Sequence, residues 1–255
     1  MILVIDIGNT NIVFGFFEAD EVKFEFRIET SAQKKASDYQ KDLRVFLLEK
    51  QLKVSQFKKI ILSSVVPGQT QIVVEMCKHL FGMPPLRVNA ELFPRLPLKI
   101  NNPQQIGTDL VANALAAIEL MQVNTIVVDF GTALTFTTVE AGGYIRGVSI
   151  APGLKTAMKA LSGNTAQLPE IPLELPASAI GTDTISAIQA GIMVGYTGMV
   201  KYMVSEIRRE LQDPYHVIAT GGLSSILSNL HNDFDYIDKH LTLKGLYFMG
   251  KYFPS

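Results

Sequence analysis

Two short stretches join an aspartate to a glycine and hydroxyl-bearing residues: Asp6-Ile7-Gly8-Asn9-Thr10 near the start and Asp129-Phe130-Gly131-Thr132-Ala133-Leu134-Thr135 in the middle. Each follows an apolar run, at 2–5 and 125–128, and each leads into a second β-prone run. A carboxylate at the end of a strand can hold a metal-bound phosphate, and a glycine lets the backbone turn so that its N–H groups close around phosphate oxygens. Aspartate and glycine also serve ordinary turns, so one copy says little. Two copies, followed by Ala219-Thr220-Gly221-Gly222 after a late strand, predict a nucleotide bound between two related halves.

The elements that must carry these residues can be read from periodicity. Strands are expected at 2–5, 11–17 and 22–29, the last alternating Val22, Phe24, Phe26 and Ile28 on one face. Ser37 and Gln40 predict a capping box opening a helix with Leu43, Phe46 and Leu47 on its apolar side. A buried strand at 59–66, a helix at 69–80 and a short strand at 86–88 complete a β-β-β-α-β-α-β order. Gly107-Thr108-Asp109 opens an alanine-rich helix running to 121, where Asp109 has the position of an ordinary N-terminal cap.

The second half repeats the meander at 125–130, 135–139 and 144–150, turns at Pro152-Gly153 into a short helix ending near 161, and has an extended, proline-containing connection at 167–176. A long helix is expected at 183–211, with Gly191, Gly195 and Gly198 on its apolar stripe; glycines there point to close approach of another helix. A strand at 217–219 and a helix at 224–230 follow. The expected architecture is α/β, two ribonuclease H-like, actin-type domains from an internal duplication, with β-β-β-α-β-α-β in each half, divided as 1–115 and 116–255.

Composition narrows the function. Hydrophobic residues make up 47% and charged residues 18%, which suits buried cores and not disorder. A net charge of −1 leaves no basic footprint for nucleic acid or anionic lipid, and the absence of a long apolar run or basic leader predicts a cytoplasmic chain without a membrane segment. The one cysteine, Cys77, is expected as a small buried hydrophobe, and the four histidines show no metal-ligand spacing.

The two aspartate turns and the late Gly-Gly resemble the nucleotide site of the acetate and sugar kinase, Hsp70 and actin superfamily. The run Asp6-Ile-Gly-Asn-Thr-Asn11, Gly107-Thr-Asp109, Asp129-Phe-Gly-Thr132, Gly147-x-x-Ile-Ala-Pro-Gly153, Leu168-Pro169, Gly181-x-x-Thr184 and Thr220-Gly-Gly222 is similar to type III pantothenate kinase over nearly the whole chain. That resemblance implies transfer of the γ-phosphoryl group of ATP to the primary hydroxyl of pantothenate, the first step of coenzyme A synthesis. It also implies Mg2+, a monovalent cation (K+ or NH4+) and a homodimer.

Carried onto this chain, the resemblance assigns Asp6, Ile7, Gly8, Asn9, Thr10, Asn11, Ile12 and Val13 to ATP phosphates, with Asp6 near the Mg-phosphate, and Thr132 to the nucleotide. Asp109 becomes the general base, Asp129 a ligand of the monovalent cation, and Gly107, Thr108, Asp109, Leu110 and Thr184 the acceptor site. Thr184 is equally placed to cap the long helix. The pattern departs at Leu110, where the family has arginine, at Ile100 in place of a tyrosine, and at Arg146 in place of a glycine. Leucine cannot pair with the carboxylate of pantothenate, so Arg146 is a candidate substitute cation. A kinase for another acceptor and a noncatalytic nucleotide-binding regulator are the rival readings.

Overall fold

The computed structural model describes residues 1–163, 168–211, 213–224 and 226–253. The chain divides into two compact units, Met1–Ala116 with Thr242–Ser255, and Ala117–Leu241. The predicted connection at 167–176 begins outside the described residues; from 168 onward it is irregular.

The first unit contains β1 (Ile2–Ile7), β2 (Asn11–Glu18), β3 (Glu21–Glu29), α1 (Ala36–Glu49), β4 (Lys59–Ser64), α2 (Pro67–Phe81), β5 (Leu86–Arg87) and the start of α3 (Thr108–Met121). Its sheet has the order β3-β2-β1-β4-β5, antiparallel through the meander and parallel beyond β1. β1 is apolar on both faces because it lies at the centre of the sheet. At the edge, β3 sets Phe24, Phe26 and Ile28 against the core and Lys23, Glu25 and Arg27 outward, which discourages further strand pairing. One face packs Leu3, Ile5, Phe14, Phe16 and Leu62 against α1 and α2.

The second unit repeats this plan with β6 (Thr125–Phe130), β7 (Ala133–Val139), β8 (Ile145–Pro152), α4 (Leu154–Gly163), α5 (Thr184–Gln189), α6 (Gly195–Glu210), β9 (His216–Thr220) and β10 (Tyr236–Ile237). Its sheet order, β10-β9-β6-β7-β8, is the same topology read from the other edge. Val128, Phe130, Phe136 and Val217 meet Leu154, Met193, Tyr196 and Val200 in its core. α7 (Leu241–Tyr252) ends the chain and belongs to the first unit.

Local details differ from the sequence expectation. α1 starts at Ala36, and its first turn is closed by Asp38, whose carboxylate accepts the N–H of Lys35 at 2.8 Å; Ser37 and Gln40 do not form the box. α2 begins at Pro67 itself, since proline lacks only an N–H that the first helical turn leaves unused, and stops at Gly82 with φ 72°. The long helix contains a π-helical turn at Ala190–Val194 between α5 and α6. Ser225 is outside the described residues of the predicted 224–230 helix; a 3-10 helix, Ser228–Asp233, stands at its end. β10 stands as the last strand of the second repeat, whose order ends on a strand, and α7 lies outside the expected order.

Candidate active site

Asp6 lies one residue from the end of β1, in register with Val13 on β2 and Ser63 on β4. Side chains opposed in register share a face, so Asp6 is flanked by an apolar group on one side and a buried hydroxyl on the other. The turn after it is closed by the Gly8 N–H donating to the Asn11 carbonyl at 2.9 Å. Thr30 braces that turn from the end of β3: its hydroxyl donates to the Gly8 carbonyl at 2.7 Å and its N–H to the Thr10 carbonyl at 3.0 Å. Among the predicted phosphate-binding residues, Ile7 and Ile12 point into the apolar core, leaving only their backbone for a ligand. Asn9 and Thr10 form the exposed tip.

Asp109 stands in the first turn of α3, where the Leu110 N–H donates to its Oδ1 at 2.9 Å. It therefore behaves as a first-turn acceptor and remains a candidate base. Burial raises its carboxyl above the usual carboxylate range, and the backbone N–H groups of Leu110 and of Asp109 itself only partly oppose the shift. The carboxylate is folded over Gly107, where a Cβ would lie 2.4 Å from Oδ1. Thr108 ties the head of α3 to β4 through a 2.8 Å contact with Ser63, the strand neighbour of Asp6. Asp6, Ser63, Thr108 and Asp109 thus form one connected group within the first unit. Leu110 is buried.

In the second unit, Asp129 is in register with Thr135 on β7 and Thr220 on β9. The hydroxyl oxygens of both threonines, and of Thr137 two residues along β7, are buried without a hydrogen-bond partner among the described residues. Two glycines clamp the turn itself. A Cβ on Gly153 would come within 2.3 Å of the Gly131 carbonyl oxygen, and one on Gly221, at φ +91°, within 2.5 Å of Asp129 Oδ1. The Thr132 carbonyl accepts from the Gly153 N–H at 3.0 Å and from the Thr156 hydroxyl at 2.6 Å, so the start of α4 holds the turn in place.

Thr184 begins α5, but the cap is Asp183, whose Oδ1 accepts the Ser186 N–H at 2.9 Å. Thr184 is exposed and borders an open cavity of about 560 Å3 whose wall includes Leu161, Leu168, Ile188 and Ile192. Arg146 is engaged by Glu140 at 3.0 Å across the β7–β8 turn. Cys77 is fully buried and its thiol is pushed up to about 12 by burial, which makes it inert. Among the described residues no group of three or more His, Cys, Asp or Glu side chains is gathered for a metal, and no helix is long and apolar enough to cross a membrane.

Sequence reading missed Ser63, Thr30 and the flanking role of Thr220. Ser63 could have been flagged as a hydroxyl ending an apolar strand; Thr30 carries no local signal, because its partners Gly8 and Thr10 are distant in sequence.

Two sheets of identical strand order, each with an aspartate before its first turn, define the fold of the acetate and sugar kinase, Hsp70 and actin superfamily. Among solved structures the chain is similar to a putative Baf family transcriptional activator from Campylobacter jejuni, at TM-score 0.59 and 22% identity over 98% of this chain and 97% of that one. It is equally similar to a putative 2-dehydro-3-deoxygalactonokinase from Sinorhizobium meliloti, at TM-score 0.59 and 13% identity over 98% and 96%. A type III pantothenate kinase from Geobacillus thermodenitrificans is 39% identical over 246 residues, covering 96% of this chain and 95% of that protein. The type III pantothenate kinase family model matches residues 2–206. The chain belongs to the type III pantothenate kinase family.

Proposed function

We infer that the chain transfers the γ-phosphoryl group of ATP to the primary hydroxyl of pantothenate, giving 4'-phosphopantothenate for coenzyme A synthesis. The observation that carries this reading, beside family membership, is the connected group Asp6–Ser63–Thr108–Asp109, which puts a partly buried carboxylate at the head of a helix next to a phosphate-type turn. Asp109 accepts the proton of the acceptor hydroxyl as its oxygen bonds to the γ-phosphorus and the bond to ADP breaks; the proton then passes to solvent. A carboxylate lifted by burial accepts that proton more readily than an ordinary one. The backbone of 7–13 holds phosphate oxygens, Thr132 contacts the nucleotide, and Gly107, Thr108, Leu110 and Thr184 border the acceptor.

The donor sets suit the two cations. Asp6 is a single carboxylate, and Mg2+ is commonly held by one or two carboxylates together with substrate phosphates. Asp129 has in register beside it two buried hydroxyl oxygens without a partner among the described residues, an oxygen-rich set suited to K+ or NH4+. When bound, these ions neutralise phosphate charge.

A homodimer is part of the same reading. Among the described residues nothing lies within 4 Å of a Cβ built on Gly191, Gly195 or Gly198, while Ile185, Val194 and Tyr202 are exposed beside them. The chain's own packing therefore does not require those glycines. The cytoplasm is the proposed location. A Tyr202→Glu variant that sediments as the wild type does would contradict the dimer through this face.

Leu110 favours one second reading, a kinase for an acceptor without a carboxylate, because the residue after the base offers no cation. ADP release with ATP, Mg2+ and K+, with and without pantothenate, separates the two. Pantothenate stimulation that disappears in Asp109→Asn supports the first. ATP binding without stimulation supports another acceptor or a regulator.

A further inference from the structure

We propose that Thr242 and Gly245, on the C-terminal helix, are positioning residues for Asp109, acting through Asn113 and Ala112 of α3. The inference rests on the reading of Asp109 as the base. It concerns a helix beyond residues 2–206, the span of the family match.

Asn113 follows Asp109 by four residues, so it sits one turn further along the same face of α3. It is fully buried, and its Oδ1 accepts the Thr242 hydroxyl at 2.8 Å. A buried amide is strongly driven to keep such a partner. One turn along α7, Gly245 lies directly on the α3 backbone: a Cβ there would stand 1.9 Å from the Ala112 carbonyl oxygen, 2.4 Å from its carbon and 2.8 Å from its Cα. These are backbone atoms, so no side-chain movement could accommodate even alanine; the helices would have to separate.

α7 in turn is held by the first sheet. Gly250 lies against Ile61 of β4, with 2.2 Å between a built Cβ and Ile61 Cδ1. Tyr247 stacks on Phe17 of β2 at 4.4 Å between ring centroids and 8° between planes. Lys59 of β4 donates to the carbonyls of Gly250, at 2.7 Å, and Phe253 at the end of α7. The connection runs from sheet to α7, from α7 to α3, and so to Asp109.

α3 is buried from Leu110 to Ala117, and four of those eight residues, Ala112, Ala114, Ala116 and Ala117, are alanine beside Leu110, Val111, Asn113 and Leu115. Small side chains make shallow ridges that set rotation and axial register poorly. The Ser63–Thr108 bond holds the head of the helix. The Thr242–Asn113 bond and the Gly245–Ala112 contact supply a second fixed point one turn away, which sets where the Asp109 carboxylate points.

The test uses the full chain with Thr242→Val, Thr242→Ser and Gly245→Ala, plus Leu47→Ala, a core truncation in α1, as a control for lost stability. Steady-state kinetics with ATP and pantothenate are combined with titration of the Asp109 carboxyl by 13C NMR. Thr242→Val and Gly245→Ala should lower kcat by about 10- to 100-fold with KM for ATP nearly unchanged, as expected for a misplaced reacting group. The Asp109 titration should move in both, and Thr242→Ser should restore both readouts. Leu47→Ala should melt earlier and keep its kcat. Wild-type kcat and Asp109 titration in Thr242→Val would overturn the proposal, as would a kcat loss in Leu47→Ala matching its loss of stability. If the wild type fails to respond to pantothenate, the acceptor reading falls, and the NMR titration of Thr242→Val still decides the positioning role.

Discussion

Ser63 and Thr108 meet through their hydroxyl oxygens at 2.8 Å, and this one contact joins the strand beside Asp6 to the helix that carries Asp109. Two carboxylates are thereby held on neighbouring elements of one unit. Ser63→Ala should lower kcat more than it raises KM for ATP. It should cost about 0.5–1.5 kcal/mol of stability, the usual net worth of such a bond. Denaturant melts and steady-state kinetics on the same preparation check both; a variant with lower stability and unchanged kcat would limit Ser63 to a structural role.

Asp109→Asn should reduce kcat by about 100- to 10,000-fold, the usual share of a general base. The wild-type rate should fall on acidification at a pH above the ordinary carboxylate range, because burial raises this carboxyl in the folded state. The same shift has an opposite effect on folding. With the folded pKa above the unfolded one, the native state binds more proton in that window, so stability falls as pH rises through it. Asp109→Asn should therefore melt higher than the wild type at pH 7, and the gap should close below the unfolded carboxyl's range.

Thr135 and Thr220 carry buried hydroxyl oxygens without partners among the described residues, one on each side of Asp129. Replacing either by valine keeps the shape and removes a desolvated polar group. Without a monovalent cation, Thr220→Val should be at least as stable as the wild type. Its activation by K+ should weaken by about tenfold or more if the hydroxyl is a ligand of that ion. Rates measured across a K+ series, with Na+ holding ionic strength constant, provide the check. An unchanged K+ response would remove the hydroxyl from the cation site.

Thr30 grips the first turn by two hydrogen bonds, to the carbonyls of Gly8 and Thr10. Thr30→Val loses only the side-chain bond, and the Gly8–Thr10 backbone should loosen where ATP phosphates are proposed to bind. KM for ATP should rise several-fold, in line with the roughly 1 kcal/mol carried by one such bond, while KM for pantothenate stays near its wild-type value. Isothermal titration with a nonhydrolysable ATP analogue measures the same loss without turnover.

Both meanders were legible because their signals are local: an apolar run, an aspartate, a glycine, then alternation with a period of two. Asp6 and Asp129 stand out for the same reason, whereas Asp109 reads locally as a helix cap and stands out only through the family resemblance. Helix caps were less legible, since several polar residues near each start can close the turn. Asp38 and Asp183 do so here, where Ser37 and Thr184 looked equally able. α7 escaped notice because Gly245 and Gly250 each weaken a helix by about 1 kcal/mol relative to alanine. Its packing on α3 and the first sheet supplies what its propensity lacks.

The residues around the aspartates show the same division. The sequence by itself determined the doubled aspartate turn, and the order of its motifs carried the family resemblance that names Asp109 as the candidate base. Only the tertiary structure decided that Asp6 has Val13 and Ser63 beside it while Asp129 has Thr135 and Thr220. Strand pairing brings those residues together across long stretches of chain, and no local pattern encodes a register set by the burial of a whole sheet face. The doubled turn therefore has two different surroundings: its aspartates match, but the strands beside them do not.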